Sequence, residues 1–184
     1  MISLSDLCLS TGLVSLVLYF PFLVAPEWTQ QGLRVFPRNI WAGGLLAAVA
    51  LVWAAFEIND MPLGGVDAYK SWLWVLGPVV YGLIMVFMNE LLAPRALGGL
   101  LMLSAGPLLE AQRLYESAWT VVPAVMAYVW VVVGMVLVLS PYRFRHAAQF
   151  YCGTNATCRW TGILGLAQGV FLIGLGIFAF GGGR

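Results

Sequence analysis

The chain has 184 residues, of which 61% are hydrophobic and only 9% are charged. An ordinary soluble domain is about 25% charged, so this composition excludes a soluble globule, which needs more polar surface to face water. High hydrophobicity also excludes disorder, and a net charge of +1 excludes a nucleic-acid partner held through bulk charge. The class that remains is an integral membrane protein.

Six apolar runs follow one another along the chain. A helix that crosses the hydrocarbon core needs about 20 mostly apolar residues. Lipid cannot satisfy an open sheet edge, and the runs lack the alternation of barrel strands. We therefore expect an all-α fold, a polytopic transmembrane helical bundle that forms a single domain over residues 1–184. Its spans are predicted near residues 7–26, 40–58, 72–88, 96–109, 119–139 and 161–180.

The fourth run is the shortest, with 14 uncharged residues between Arg95 and Glu110. Its glycines and Pro107 weaken a helix, so a re-entrant or interfacial segment is the alternative. If Arg95 and Glu110 snorkel outward, the run is long enough to span. The first run has no basic residue before it, so we expect a retained helix and not a signal peptide.

Basic residues divide unequally between the two ends of a six-span bundle. The positive-inside rule therefore places the odd-numbered connections in the cytoplasm and both termini outside. One end carries six basic residues, namely Arg34, Arg38, Arg95, Arg143, Arg145 and Arg159. The other end carries three, namely Lys70, Arg113 and Arg184. Short connections and the lack of a soluble domain favour a bacterial inner membrane.

The spans pair in sequence into three hairpins, each with a proline and an arginine in its connection. A triplicated hairpin is one interpretation, since internal symmetry is common in membrane folds. The other is that such residues are common at the ends of any membrane helix.

The hairpin pattern runs from Ser140-Pro141 to Arg159-Trp160-Thr161-Gly162, followed by spaced glycines. Residues 25–28 with Arg38 and Gly43-Gly44 repeat it. Each hairpin resembles the YjeT-like small bacterial inner-membrane proteins of unknown function, which are two helices long. Because the activity of that family is unknown, the resemblance implies topology alone.

Polar side chains near the predicted spans are the candidates for a functional site, because ionisable groups are costly in a membrane. The alternative to a functional role for the carboxylates is that they extend to headgroup depth as snorkelling side chains. The alternative for Gln168 is a hydrogen bond between two helices that only stabilises their packing. No acidic residue falls near a span midpoint, which argues against a proton relay. The candidates are Glu57, Glu90, Glu110, Arg113 and Gln168.

Small residues recur at four-residue spacing on two spans. Gly165 and Gly169 lie on the sixth, and Gly43 and Gly44 each precede an alanine by four residues on the second. Such faces let two helix backbones approach closely. The pattern predicts helix packing, with a partner in the same chain or in another one.

The connection from Ser140 to Trp160 holds Arg143, Arg145 and Arg159, which we expect to contact anionic lipid headgroups. Cys152 and Cys158 lie in the same connection. On the cytoplasmic side they should be reduced, whereas in the inverted topology they could form a disulfide. With one histidine in the chain, we expect no metal site and no cofactor.

Three functions remain open. The favoured one is a non-catalytic accessory, scaffold or self-assembling subunit whose partners are the lipid bilayer and other membrane helices. The alternative is a small-solute or ion transporter or channel, motivated by the prolines within the spans. An intramembrane enzyme is the third, but no catalytic constellation is evident in the sequence.

Overall fold

All regular structure in the described residues is helical. A computed structural model describes residues 3–62, 64–87, 91–113, 115 and 117–180, and no strand occurs among them. The α-helices are α1 (Leu4–Val24), α2 (Pro26–Val35), α3 (Ile40–Asp60), α4 (Leu73–Phe87), α5 (Leu92–Gln112), α6 (Val121–Leu139), α7 (Arg143–Cys152) and α8 (Asn155–Gly174). Short 3-10 segments cover Phe36–Arg38, Gly64–Trp72 and Ala118–Thr120, and a π-helical turn, Leu175–Ala179, extends α8.

Six of the helical segments are long and apolar enough to cross a membrane, which confirms the predicted all-α bundle of six spans. These segments are Leu4–Val24, Ile40–Asp60, Lys70–Phe87, Leu92–Gln112, Ala118–Leu139 and Asn155–Ala179.

The fourth span is longer than its uncharged run. Helix α5 has 21 residues and includes both Arg95 and Glu110, and it continues through Pro107. Because charged side chains at its two ends can reach toward the headgroups, these residues extend the helix without adding charge to the membrane centre. Its mean hydropathy of 1.3 is the lowest of the six spans.

Two connections that we expected to be loops are helical instead. Residues 27–39 fold largely as α2 and residues 140–160 as α7 and the first turn of α8. Helix α2 begins at Pro26, whose missing N–H costs nothing at a first helical position. Thr154 caps α8, because its side chain accepts from the Thr157 N–H while Thr157 Oγ1 accepts from the Thr154 N–H.

The chain forms two compact units that are interleaved in sequence. Unit 1 comprises residues 1–34, 104–130 and 145–184, and unit 2 comprises residues 35–103 and 131–144. Helices α5 and α6 each contribute to both units. The prediction of a single domain stays a prediction.

Unit 1 is built on the antiparallel packing of α1 against α8. Glycines of α8 face α1 along its whole length, and a Cβ added at Gly169 would lie 3.0 Å from the Gly12 carbonyl oxygen. The Gly176 position approaches Ser5 at one end, and the Gly162 position approaches Phe22 at the other. Because the glycines carry no side chain at these positions, the backbones of α1 and α8 approach closely.

Unit 2 contains two close helix contacts. Gly43 of α3 faces Ala93 at the start of α5, where an added Cβ would lie 2.8 Å from the Ala93 nitrogen. Gly98 of α5 faces Gly134 of α6. The rings of Phe36 and Phe144 lie 5.4 Å apart. The starts of α3 and α5 and the segment after α6 therefore lie at one end of this unit.

Large apolar side chains are exposed along the spans. Val17 is 73% exposed, Leu45 69% and Val86 69%, which suits helices that face lipid. The tryptophans near the predicted span ends are all exposed, from 54% for Trp119 to 87% for Trp41. Trp53 and Trp130, which lie deeper in the sequence runs, are partly buried. This distribution is that of an aromatic belt.

Candidate functional site

Gln168 lies near the centre of the sixth span and its side chain is exposed. Its amide Nε2 donates to the Met126 Sδ of α6 at 3.6 Å, and sulfur is a weak acceptor. In the described part of the chain, no other hydrogen bond of this amide is found. Leu164 and Phe171, four residues before it and three after it, are exposed on the same side of α8. A strongly polar group therefore sits on an apolar outward face at mid-membrane depth.

Glu57 lies near the carboxyl end of α3 and is half-buried. The indole Nε1 of Trp53 donates to its Oε1 at 3.0 Å, one helical turn back. This bond holds the carboxylate against its own helix.

Glu110 and Arg113 lie at the carboxyl end of α5, and both are exposed. They are three positions apart in the sequence, but their side chains form no ion pair, and only a backbone hydrogen bond joins them. Nearby, the Oε1 of Gln112 is buried without a hydrogen-bond donor in the described chain. Glu90 lies outside the described residues. Glu57 belongs to unit 2, whereas Glu110, Arg113 and Gln168 belong to unit 1.

The glycine faces have partners within the chain. Gly165 faces the ring of Tyr19, and Gly169 faces Gly12 and Leu16, all on α1. Gly43 faces Leu92 and Ala93, and Gly44 faces Tyr81 and Met85 of α4 at 3.2 Å. These four glycines therefore have no room left for a helix of another chain.

The three arginines predicted to contact lipid headgroups are all exposed. Arg143 begins α7 and Arg145 is the third residue of that helix, while Arg159 lies in the first turns of α8. Arg143 lowers the pKa of the Tyr142 hydroxyl by a side-chain hydrogen bond and by its charge. The amphipathic α7 also exposes Phe150 and Tyr151, as expected of a helix at the membrane surface.

Cys152 ends α7, and its sulfur is bonded to that of Cys158 in α8. The pair closes the turn between the two helices, and Cys158 Sγ lies 3.9 Å from the Pro26 carbonyl oxygen. The sequence left open whether the two thiols meet, because a five-residue spacing does not determine the turn between them. Among the described residues, no group of three His, Cys, Asp or Glu side chains could hold a metal ion.

An apolar groove of about 290 Å³ lies between α3 and α4 in unit 2. Its lining includes Ala48, Ala55, Trp74, Gly77, Pro78 and Tyr81. No carboxylate lines this groove, nor the neighbouring one bounded by Trp53 and Phe56. Neither of these two grooves thus brings Glu57 to a polar cavity.

Comparisons with known proteins find no matching family model, no significantly similar curated protein and no significantly similar solved structure. The resemblance of the hairpins to YjeT-like proteins stays a prediction. What the fold defines is a class, a multi-pass helical membrane protein.

Proposed function

We propose that this chain is a non-catalytic membrane scaffold that assembles with copies of itself through the outer face of α8. The observation that supports the proposal is the exposed amide of Gln168 near the centre of a span. Within the described chain its amide donates only to the weak acceptor Met126 Sδ, and a polar side chain facing lipid tails is unfavourable unless another helix supplies stronger partners.

A second copy of the chain is a suitable partner. Two copies inserted in the same orientation carry Gln168 at the same depth, and a two-fold axis along the membrane normal places the two side chains opposite each other. A primary amide is both donor and acceptor, so identical glutamines can bond reciprocally. Exposed Leu164 and Phe171 provide the apolar contact beside them.

The packing of the glycine faces also supports assembly through the outer face of α8. They are occupied by α1, α4 and α5 of the same chain, so an assembly interface requires another surface. For the transporter alternative, the two grooves beside α3 are lined by no candidate carboxylate.

The orientation belongs to the same proposal. The excess of arginine at the odd-numbered connections favours a cytoplasmic position for them, with both termini outside, in a bacterial inner membrane. There Arg143, Arg145 and Arg159 meet the anionic leaflet. Reporter fusions at Arg184 test this, since an alkaline phosphatase domain is active only outside the cytoplasm.

Energy transfer between labelled copies in liposomes tests the assembly. Two hydrogen bonds within a membrane contribute about 0.6 kcal/mol each, so Gln168→Leu should weaken association about tenfold. The control is Tyr128→Phe, because Tyr128 is 63% exposed near the centre of the fifth span. Equal association of wild type and Gln168→Leu would contradict the proposal.

A further inference from the structure

A partly buried arginine with an unpaired Nε marks the first turn of α5. The Nε of Arg95 is buried, and in the described chain it has no hydrogen-bond acceptor. An arginine cannot shed its charge, and a partly buried charge is costly unless an anion pairs with it. Among the described residues, Arg95 thus has no counterion.

The surrounding charge in unit 2 is positive. Arg38 precedes α3 and Arg143 begins α7, and the contact between Phe36 and Phe144 places both segments at the end of the unit where α5 starts. The described acidic residues of unit 2 are Glu57, Asp60 and Asp67, which follow the carboxyl end of α3 or lie in the connection to α4. No described acid neutralises the arginines at their own end.

Open space continues along α5 from this charge. Gly99 and Met102 follow Arg95 at four and seven residues, so all three share one face of the helix. A Cβ added at Gly99 would meet no atom within 4 Å, and Met102 is 39% exposed. An arginine side chain in a helix leans toward its amino terminus, which here means toward the headgroup level. The Arg95 guanidinium thus lies on the headgroup side of an uncovered stretch of α5 at Gly99.

We propose that Arg95 binds the phosphate of an anionic phospholipid, with Arg38 and Arg143 adding charge, and that an acyl chain of the same lipid lies along α5 at Gly99. Guanidinium groups bind phosphate through paired hydrogen bonds. Basic pockets between membrane helices suit anionic headgroups. This proposal does not depend on self-assembly through Gln168.

Native mass spectrometry of the purified, delipidated chain tests the site. We expect one phosphatidylglycerol to bind in preference to phosphatidylcholine, and Arg95→Gln to weaken that binding about tenfold, because a hydrogen bond to a charged group is lost. The matched control is Arg113→Gln, which removes an exposed arginine at the other end of α5. Equal weakening by the two variants would overturn the proposal.

The proposed acyl-chain position at Gly99 is tested by filling it with a side chain. Gly99→Leu should weaken phosphatidylglycerol binding several-fold, whereas Gly82→Leu, at another position without neighbours within 4 Å, should not. Arg95→Lys, which keeps the charge and loses the planar fork, should fall between wild type and Arg95→Gln. Millimolar inorganic phosphate should not displace the lipid. Displacement by phosphate together with an unaffected Gly99→Leu variant would show a free-anion site and overturn the lipid assignment.

Discussion

Gly98 and Gly134 face each other backbone to backbone. A Cβ added at Gly98 would lie 2.7 Å from the Gly134 carbonyl oxygen, and one added at Gly134 would lie 2.6 Å from that of Gly98. Both clashes involve backbone atoms, so no side-chain rotation relieves them. The approach of α5 to α6 in unit 2 therefore depends on the absence of a side chain at these two positions.

Adjacent glycines of α5 give a matched test of this contact. Gly98→Ala should lower the free energy of unfolding in detergent by about 1–3 kcal/mol, the usual cost of overpacking. Gly99→Ala should leave it unchanged or raise it by up to about 1 kcal/mol, because it meets no neighbour and alanine favours a helix. Equal effects of the two substitutions would show that α5 and α6 do not approach as described.

The α1–α8 contact predicts a coupled pair. Gly165→Ala places a methyl group in the ring of Tyr19 and should destabilise the chain. Tyr19→Ala also destabilises it by loss of packing, but in the double variant the clash is gone, so the two effects should fall short of their sum. Gly174→Ala in the same helix is the control, since nothing lies within 4 Å of its added Cβ. Additive effects in thermal unfolding would count against this packing.

The cysteine pair reports on the side of the membrane. The structure bonds Cys152 to Cys158, whereas the proposed orientation places this end in the cytoplasm, where the two thiols would be kept reduced in the cell. A membrane-permeant maleimide should then label both thiols in intact cells without prior reduction, and an impermeant one should not. Labelling only after reduction would place this end in an oxidising compartment and invert the proposed orientation.

We expect the carboxylates of Glu57 and Glu110 to take no part in ion transport across the membrane. Trp53 holds Glu57, and Glu110 is exposed at the end of its span. Proteoliposomes loaded with a pH-sensitive dye should therefore show the same proton flux with the wild-type chain, with a Glu57→Gln/Glu110→Gln variant and with no protein. Flux in the wild type that the double substitution abolishes would support the transporter alternative.

The number of spans could be predicted from the length of apolar runs, because that length is set by membrane thickness. Helices α2 and α7 were missed, since short charged segments between spans have the composition of loops. The aromatic residues of α7, spaced among its arginines, are the signal that indicates an interfacial helix. The turn between α7 and α8 brings Cys152 and Cys158 together. Their sequence spacing alone does not predict that turn.

The helix partners could not be predicted because they depend on contacts distant in sequence. Gly165 and Gly169 predicted a close helix contact, but four-residue spacing does not name α1 as the partner. Since those glycines face α1, Gln168, one residue before Gly169, lies beside that face and is exposed. The outward direction of the Gln168 side chain thus follows from the packing of α8 against α1. The sequence pattern does not predict this packing partner.

Cross-linking across the outer face of α8 tests self-assembly most directly. In a variant with Cys8, Cys152 and Cys158 replaced by serine, Leu164→Cys places one thiol a helical turn from Gln168. Mild oxidation in native membranes should join two copies through this position, and adding Gln168→Leu should largely abolish the cross-linked dimer. A thiol at Val129 of α6, which is 51% exposed, should not cross-link. Equal cross-linking at Leu164 and Val129, or cross-linking at Leu164 that survives Gln168→Leu, would contradict assembly through this face.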